Sequence, residues 1–327
     1  MSNENSKLEY ESGVTPTTMS ALTDSGDRTK FTSDASLFSE SDGNSPDIRP
    51  NGLLTGGAVI SGVSGSDNVI DTAALTCYLA GINTSVIANT DVAIARAATD
   101  VSSVSSVTVT SAGAIAIIQG ADGTDAAFSE TRGAAGAPAL IPVGSIEIAQ
   151  VRTASNVAGV ISAGEIYSTI GTHTETSSFP VFTANNSVGE VDFDVALPAI
   201  HTGDVGKAVY ASYAEPVFTE QSFANDFVPS ETSYSTSSEQ VYGATIGASS
   251  SSLGQGSFTA ILSNGITDSI VGRKGENLWF RYYQDKNKLP HVLDQGKLGI
   301  ARTFNASDNP KVSCTISPTV ESVNRAS

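Results

Sequence analysis

Three carboxylates, Glu190, Asp192 and Asp194, alternate with Val191, Phe193 and Val195. On a strand, that spacing puts the acids on one face and the apolar residues, with Leu197, on the other. Such a face is either an ordinary solvated strand face or a surface that repels a polyanion. The opposite chemistry sits near the end of the chain. Residues 271–327 hold nine Lys/Arg against five acids, +4, whereas the whole chain is −17. Lys286, Lys288 and Lys297 belong to that basic segment, as does the sole tryptophan, in the run Trp279-Phe280-Arg281-Tyr282-Tyr283. An acidic body with a basic, aromatic end can pair with copies of itself. Lys286, Lys288 and Lys297 are therefore the expected inter-subunit contacts. The aromatic run with Arg281 could also stack single-stranded bases. The acidic body opposes a polyanion, so the run reads as one strand with a core face and a partner-facing face.

Other reactive residues form no recognisable constellation. His173, His201 and His291 each lack a second ligand at helical or hairpin spacing, which argues against zinc. Asp122-Gly123-Thr124-Asp125 lacks the twelve-residue calcium-loop pattern and reads as a solvated turn. Gly254 and Gly256 have no third glycine of a dinucleotide fingerprint. Walker and Gly-x-Ser-x-Gly motifs are absent from the sequence. No catalytic residue, cofactor or metal is expected. Cys77 and Cys314 read as reduced, buried small hydrophobes. Asn83, Asn185 and Asn305 head glycosylation sequons that mean little without a secretion signal, and the polar N-terminus shows none.

The elements that must position these residues are β-rich. Charged residues are only 16% of the chain, hydrophobic ones 39%, and the pI is near 4.4. That balance excludes wholesale disorder and argues against a basic nucleic-acid reader. No apolar run is long enough to span a membrane. Residues 1–52 are polar and turn-rich and read as an N-terminal arm, irregular alone and ordered by neighbours. Residues 53–151 read as an accessory β-domain, with a hairpin from Val107 to Gln119 turning at Ser111-Ala112-Gly113. Residues 155–170 are the best helix candidate, with a capping box from Ser162 to Glu165. From 188 onward a period of two is clean. Leu278, Phe280 and Tyr282 share a face, as do Leu298, Ile300, Arg302 and Phe304, and Val312, Cys314 and Ile316. Residues 230–252, nearly all Ser, Thr, Tyr, Glu and Gly, read as a long loop or flexible hairpin tip.

Two stretches carry a resemblance. One runs Ser111-Ala112-Gly113-Ala114-Ile115-Ala116-Ile117-Ile118-Gln119-Gly120-Ala121-Asp122-Gly123-Thr124, then Arg132 to Pro138, then Ile141 to Ile148. The other runs Glu276 to Tyr283, Ile300 to Phe304 and Val312 to Ile316. Together they resemble the major tail tube proteins of bacteriophages with long, non-contractile tails, above all the flagellum-seeking Chi-like group. The resemblance covers roughly residues 105–320. It implies a mainly β fold: an antiparallel β-sandwich core over 152–327 with a short helix, beside the accessory domain and the arm. It implies hexameric rings stacked into a tube that conducts double-stranded DNA, with inner hairpins lining the bore. Glu190, Asp192 and Asp194 then become candidate bore residues. The implied partners are copies of the chain itself, tape-measure and tail-completion proteins, and DNA passing non-specifically, with no membrane. The implied location is the virion tail, with assembly in the host cytoplasm. The rival readings are a capsid decoration or tail-fibre protein and a bacterial surface β-adhesin.

Overall fold

The computed structural model describes residues 5–177, 181–203, 205–263, 267–303 and 310–326. Among them the fold is mainly β, built from antiparallel sheets with one short α-helix, Ser269–Gly272. The chain divides into two discontinuous units. One comprises residues 1–16, 37–45 and 214–327; the other comprises 17–36 and 46–213. The expected accessory domain 53–151 is therefore not a unit by itself. Its far boundary cuts through the strand Ile146–Thr153, whose main chain pairs with Ser103–Val109 on one side and Ile166–Tyr167 on the other.

The unit containing the C-terminus is organised by one sheet. The sheet's strands run in the order Ala224–Val228, Gly256–Ile261, Lys311–Pro318, His291–Thr303, Asn277–Tyr283, Lys7–Ala21, Val209–Glu220 and Asp47–Pro50, the last pairing with Val209–Ser212 within the other unit. The alternation from 278 to 316 buries Leu278, Phe280, Leu298, Ile300, Val312, Cys314 and Ile316 in one cluster, joined by Phe258 and by Ile270 of the short helix. Each such side chain contributes about 1.5–3 kcal/mol on burial. Arg302 lies on an exposed stretch, and Phe304 falls outside the described residues. The N-terminal arm is corrected here. Lys7–Ala21 is an interior strand, registered Lys7 to Tyr283 and Tyr10 to Phe280. Leu8 and Tyr10 enter the core, and Glu11 is fully buried as well.

The other unit has its own core, drawn from several small sheets: Val59, Ile70, Leu75, Cys77, Val107, Val109, Ile146, Ile148 and Val151 among others. The 107–119 hairpin forms as expected, pairing Val109 with Ile115, and Gly113 takes a positive φ of 78° at its turn. The expected helix over 155–170 does not form. Only a single 3-10 turn, Ala163–Glu165, follows Ser162. The capping contact is nonetheless present, Ser162 N donating to Glu165 Oε2 at 2.7 Å. Gly159 and Gly164 remove the propensity to extend it, and Val157 and Val160 face solvent rather than a core.

Candidate functional site

The 230–252 segment is a regular hairpin rather than a loop. Thr232–Val241 and Ala244–Leu253 pair along ten positions, from Thr232 opposite Leu253 to Val241 opposite Ala244. Tyr242-Gly243 makes the turn, with Gly243 at φ 84°. Ten residues at about 3.4 Å each make a shaft of roughly 34 Å. It forms a two-stranded sheet of its own, so neither outer edge pairs with another strand among the described residues. Tyr234 is 79% exposed and Ile246 60%, and the serines on either strand are exposed as well. Hydroxyls pair across the shaft, Ser233 with Ser252 at 3.0 Å and Ser235 with Ser250 at 2.7 Å. Glu239 is the only charged residue between 232 and 253.

The root of the hairpin is firmly held. Thr232 N and Oγ1 donate to the two carboxylate oxygens of Glu321, at 3.0 and 3.1 Å. Ser322 N donates to Ser230 O at 2.8 Å, and Ser230 N donates to Asp294 Oδ2 at 2.9 Å. Asp294 is 1% exposed, and burial pushes its carboxyl above the usual range. The base is thus anchored by side chains while the shaft stands open.

Trp279 does not face a partner. It packs with Leu37, Leu293 and Phe218, and its Nε1 donates to Phe38 O at 3.0 Å. Glu11, fully buried, accepts from Ser39 Oγ, from Ser41 Oγ at 2.7 Å and from Trp279 N at 3.1 Å. The 37–45 segment is thereby fastened over the second face of the sheet, and Arg281 lies over the Phe218 ring at 3.7 Å. The reading of Trp279 on a partner-facing face missed this because the covering segment is more than 230 residues away in sequence.

The expected site residues are placed as follows. Glu190 and Asp192 lie on the strand Glu190–Phe193, with Val191 and Phe193 buried behind them. Lys30 bridges both acids, at 3.3 Å to Glu190 and 3.5 Å to Asp192. Asp194 lies past the strand end, and Val195 is exposed rather than inward, because the alternation stops at Phe193. Lys286 and Lys288 sit exposed in the connection between Asn277–Tyr283 and His291–Thr303, Lys288 paired with Asp285 at 3.6 Å. Lys297 is exposed opposite Asn277, at the far end of that strand pair and so roughly 20 Å away. The three lysines do not form one patch.

Among the described residues no reactive constellation gathers. His173 Nδ1 accepts from Thr169 N at 3.2 Å, and burial lowers its pKa. His201 Nε2 pairs with Ser145 O at 3.0 Å, and His291 is tilted against Tyr283 at 4.9 Å. Among the described residues no group of three or more His, Cys, Asp or Glu could hold a metal ion. Cys77 and Cys314 are free and buried, their thiols pushed up to about 11 and about 12. No protein-family model, no curated protein and no solved structure matches this chain. Sequence reasoning missed Glu11, Asp294 and the hairpin's regularity. Only the hairpin left a local signal, two ten-residue stretches rich in Ser and Thr about an X-Gly pair.

Proposed function

We propose that this chain is a self-assembling structural subunit, and specifically the tube subunit of a bacteriophage tail that conducts double-stranded DNA. The hairpin Thr232–Leu253 carries the reading. A lone two-stranded ribbon is marginal in water. This one shows two unpaired edges with no Lys, Arg or Pro to blunt them, the condition under which strands pair with a neighbour. It is also a nearly neutral stretch on a chain of net charge −17, so copies can approach there with little repulsion. The bore chemistry is compatible with DNA passage. The hairpin carries one acid and no cation, and the Glu190, Asp192, Asp194 row retains two net negative charges after Lys30. Neither surface would hold phosphate as a basic one does.

Negative-stain microscopy of the purified protein is the test. Hollow tubes or stacked rings are expected, and they should vanish when residues 233–252 are replaced by a short Gly-Ser turn. A protein that stays monomeric at high concentration sinks the reading. A trimer that binds only preformed shells would mark a decoration protein instead, and display outside bacterial cells an adhesin. Glu at both Lys286 and Lys288 should weaken assembly most at low salt, since those exposed charges set orientation rather than affinity. Unchanged assembly at low salt would remove the basic end from the interface.

A further inference from the structure

Residues 174–177 form a seam inside the unit that contains 46–213. On one side, Glu175 N donates to Glu147 O at 2.9 Å and Thr174 Oγ1 donates to Ile148 O at 2.8 Å, both on the strand Ile146–Thr153. On the other side, Leu53 N donates to Glu175 O at 2.8 Å and Ser177 N donates to Leu53 O at 3.2 Å, on the strand Gly52–Gly56. These two strands belong to different sheets. The fit is close: a Cβ on Gly52 would fall 2.4 Å from Ser177 N. Lys207 Nζ adds a further bond to Thr176 O at 2.5 Å.

One further bond of this seam is accepted by a carboxyl group. Glu147 N donates to Glu175 Oε2 at 2.8 Å. The other oxygen, Oε1, is sealed from solvent and has no hydrogen-bond partner. A cavity of about 50 Å³ adjoins it, lined by Glu147, Thr174, Ile200 and Lys207 among others. Three charged groups face Glu175. Arg132 is committed to Glu147, donating to both its carboxylate oxygens, the longer contact being 3.3 Å. Lys207 spends a proton on Thr176 O and makes no ion pair with Glu175 within 4 Å. Glu147 itself carries the same sign as Glu175. An ionised Glu175, half-buried overall, would therefore carry charge on an enclosed oxygen that nothing satisfies, which is costly, whereas the neutral acid is tolerated.

We propose that Glu175 is a proton-operated latch: protonated, it holds residues 174–177 between the two sheets; ionised, it releases them from both. The latch works near neutrality because burial, with a smaller push from Glu147, brings the carboxyl up to about 7. Lys207 opposes that rise, so removing its charge should move the transition to higher pH. This inference does not depend on the assembly reading.

Hydrogen exchange by mass spectrometry on the full chain tests it, with rates corrected for intrinsic pH dependence. From about pH 6 to about pH 8.5, the amides of Leu53, Glu175 and Ser177 should lose protection by about tenfold. Peptides of Ser103–Val109, in the same unit, should not change. Glu175→Gln keeps an acceptor for Glu147 N and cannot ionise, so its protection should be flat. Lys207→Gln should shift the wild-type transition upward. Protection independent of pH in the wild type overturns the proposal. So does an equal loss across Ser103–Val109, which would mean global loosening, and so does a pH-dependent loss that survives in Glu175→Gln.

Discussion

Glu11 is an acid sealed inside a sheet with three donors and no ion pair of its own. Burial pushes its pKa up, while Ser39, Ser41 and Trp279 N pull the other way. Replacing it with Ala would strand the Trp279 amide and one hydroxyl proton, since Ser39 and Ser41 still reach each other at 3.0 Å, each stranded donor costing about 1–3 kcal/mol when buried unpaired. Glu11→Ala should thus lose on the order of 2–4 kcal/mol in urea unfolding. Trp279 is the only tryptophan, so its fluorescence reports the same event directly. A red shift in the native spectrum is expected as the 37–45 segment detaches. A loss below about 1 kcal/mol with an unshifted spectrum would show that the segment is held by other contacts. None of this was legible beforehand. Glu11 sits in a polar stretch, and nothing local distinguishes an acid that will be roofed by residues 37–45 from one left in water.

At the scale of elements, legibility followed amphipathic alternation. Leu278 and Phe280, Leu298 and Ile300, and Val312, Cys314 and Ile316 each declare a buried face by position alone, and each is buried. Lys7–Ala21 does not declare itself. Only Leu8 and Tyr10 alternate, and beyond them the strand is polar, its buried Glu11 included, with no apolar period to announce it. Removal of residues 1–16 should therefore unfold the C-terminal sheet rather than leave a sound subunit. Far-UV circular dichroism and Trp279 emission would report this, and a native spectrum in the truncated protein would contradict the interior position. Tyr10→Ala is the milder form, expected to cost about 3–5 kcal/mol, as for other large buried aromatics. The helix reading of 155–170 failed for a related reason. A capping box is a contact across three residues, and a single 3-10 turn satisfies it without any helix beyond.

For the whole molecule, titration of buried acids shapes stability. Glu11, Asp294 and Glu175 are all pushed upward by burial. An acid raised in the folded state adds stability that is complete below its unfolded value and is lost as pH climbs through the folded one. For Glu175 that window runs from the ordinary carboxyl value of 4.5 to about 7. His173 and His201 act oppositely. Their lowered values contribute stability above the ordinary histidine range, and it fades as pH falls. The comparison that isolates Glu175 is wild type against Glu175→Gln. The variant should gain on wild type as pH rises from about 5 to about 8, by up to ~3 kcal/mol. Chemical denaturation at both ends measures the difference, and a constant offset would deny the carboxyl its raised value. The division into discontinuous units was the least legible feature. It is set by pairings across most of the chain, which no window of neighbouring residues contains.

Those pairings also set a timetable. Lys7–Ala21 lies between Val209–Glu220 and Asn277–Tyr283, with Tyr10 opposite Phe280, so at the ribosome it waits about 200 residues for one neighbour and about 270 for the other. At 5–20 residues per second those waits span roughly 10–50 s. A strand waiting that long beside other nascent chains invites mispairing if it is apolar. The Ser and Thr content of Lys7–Ala21 then has a use unrelated to the finished sheet. It keeps the segment soluble until Val209–Glu220, and then Asn277–Tyr283, emerge to claim its two edges.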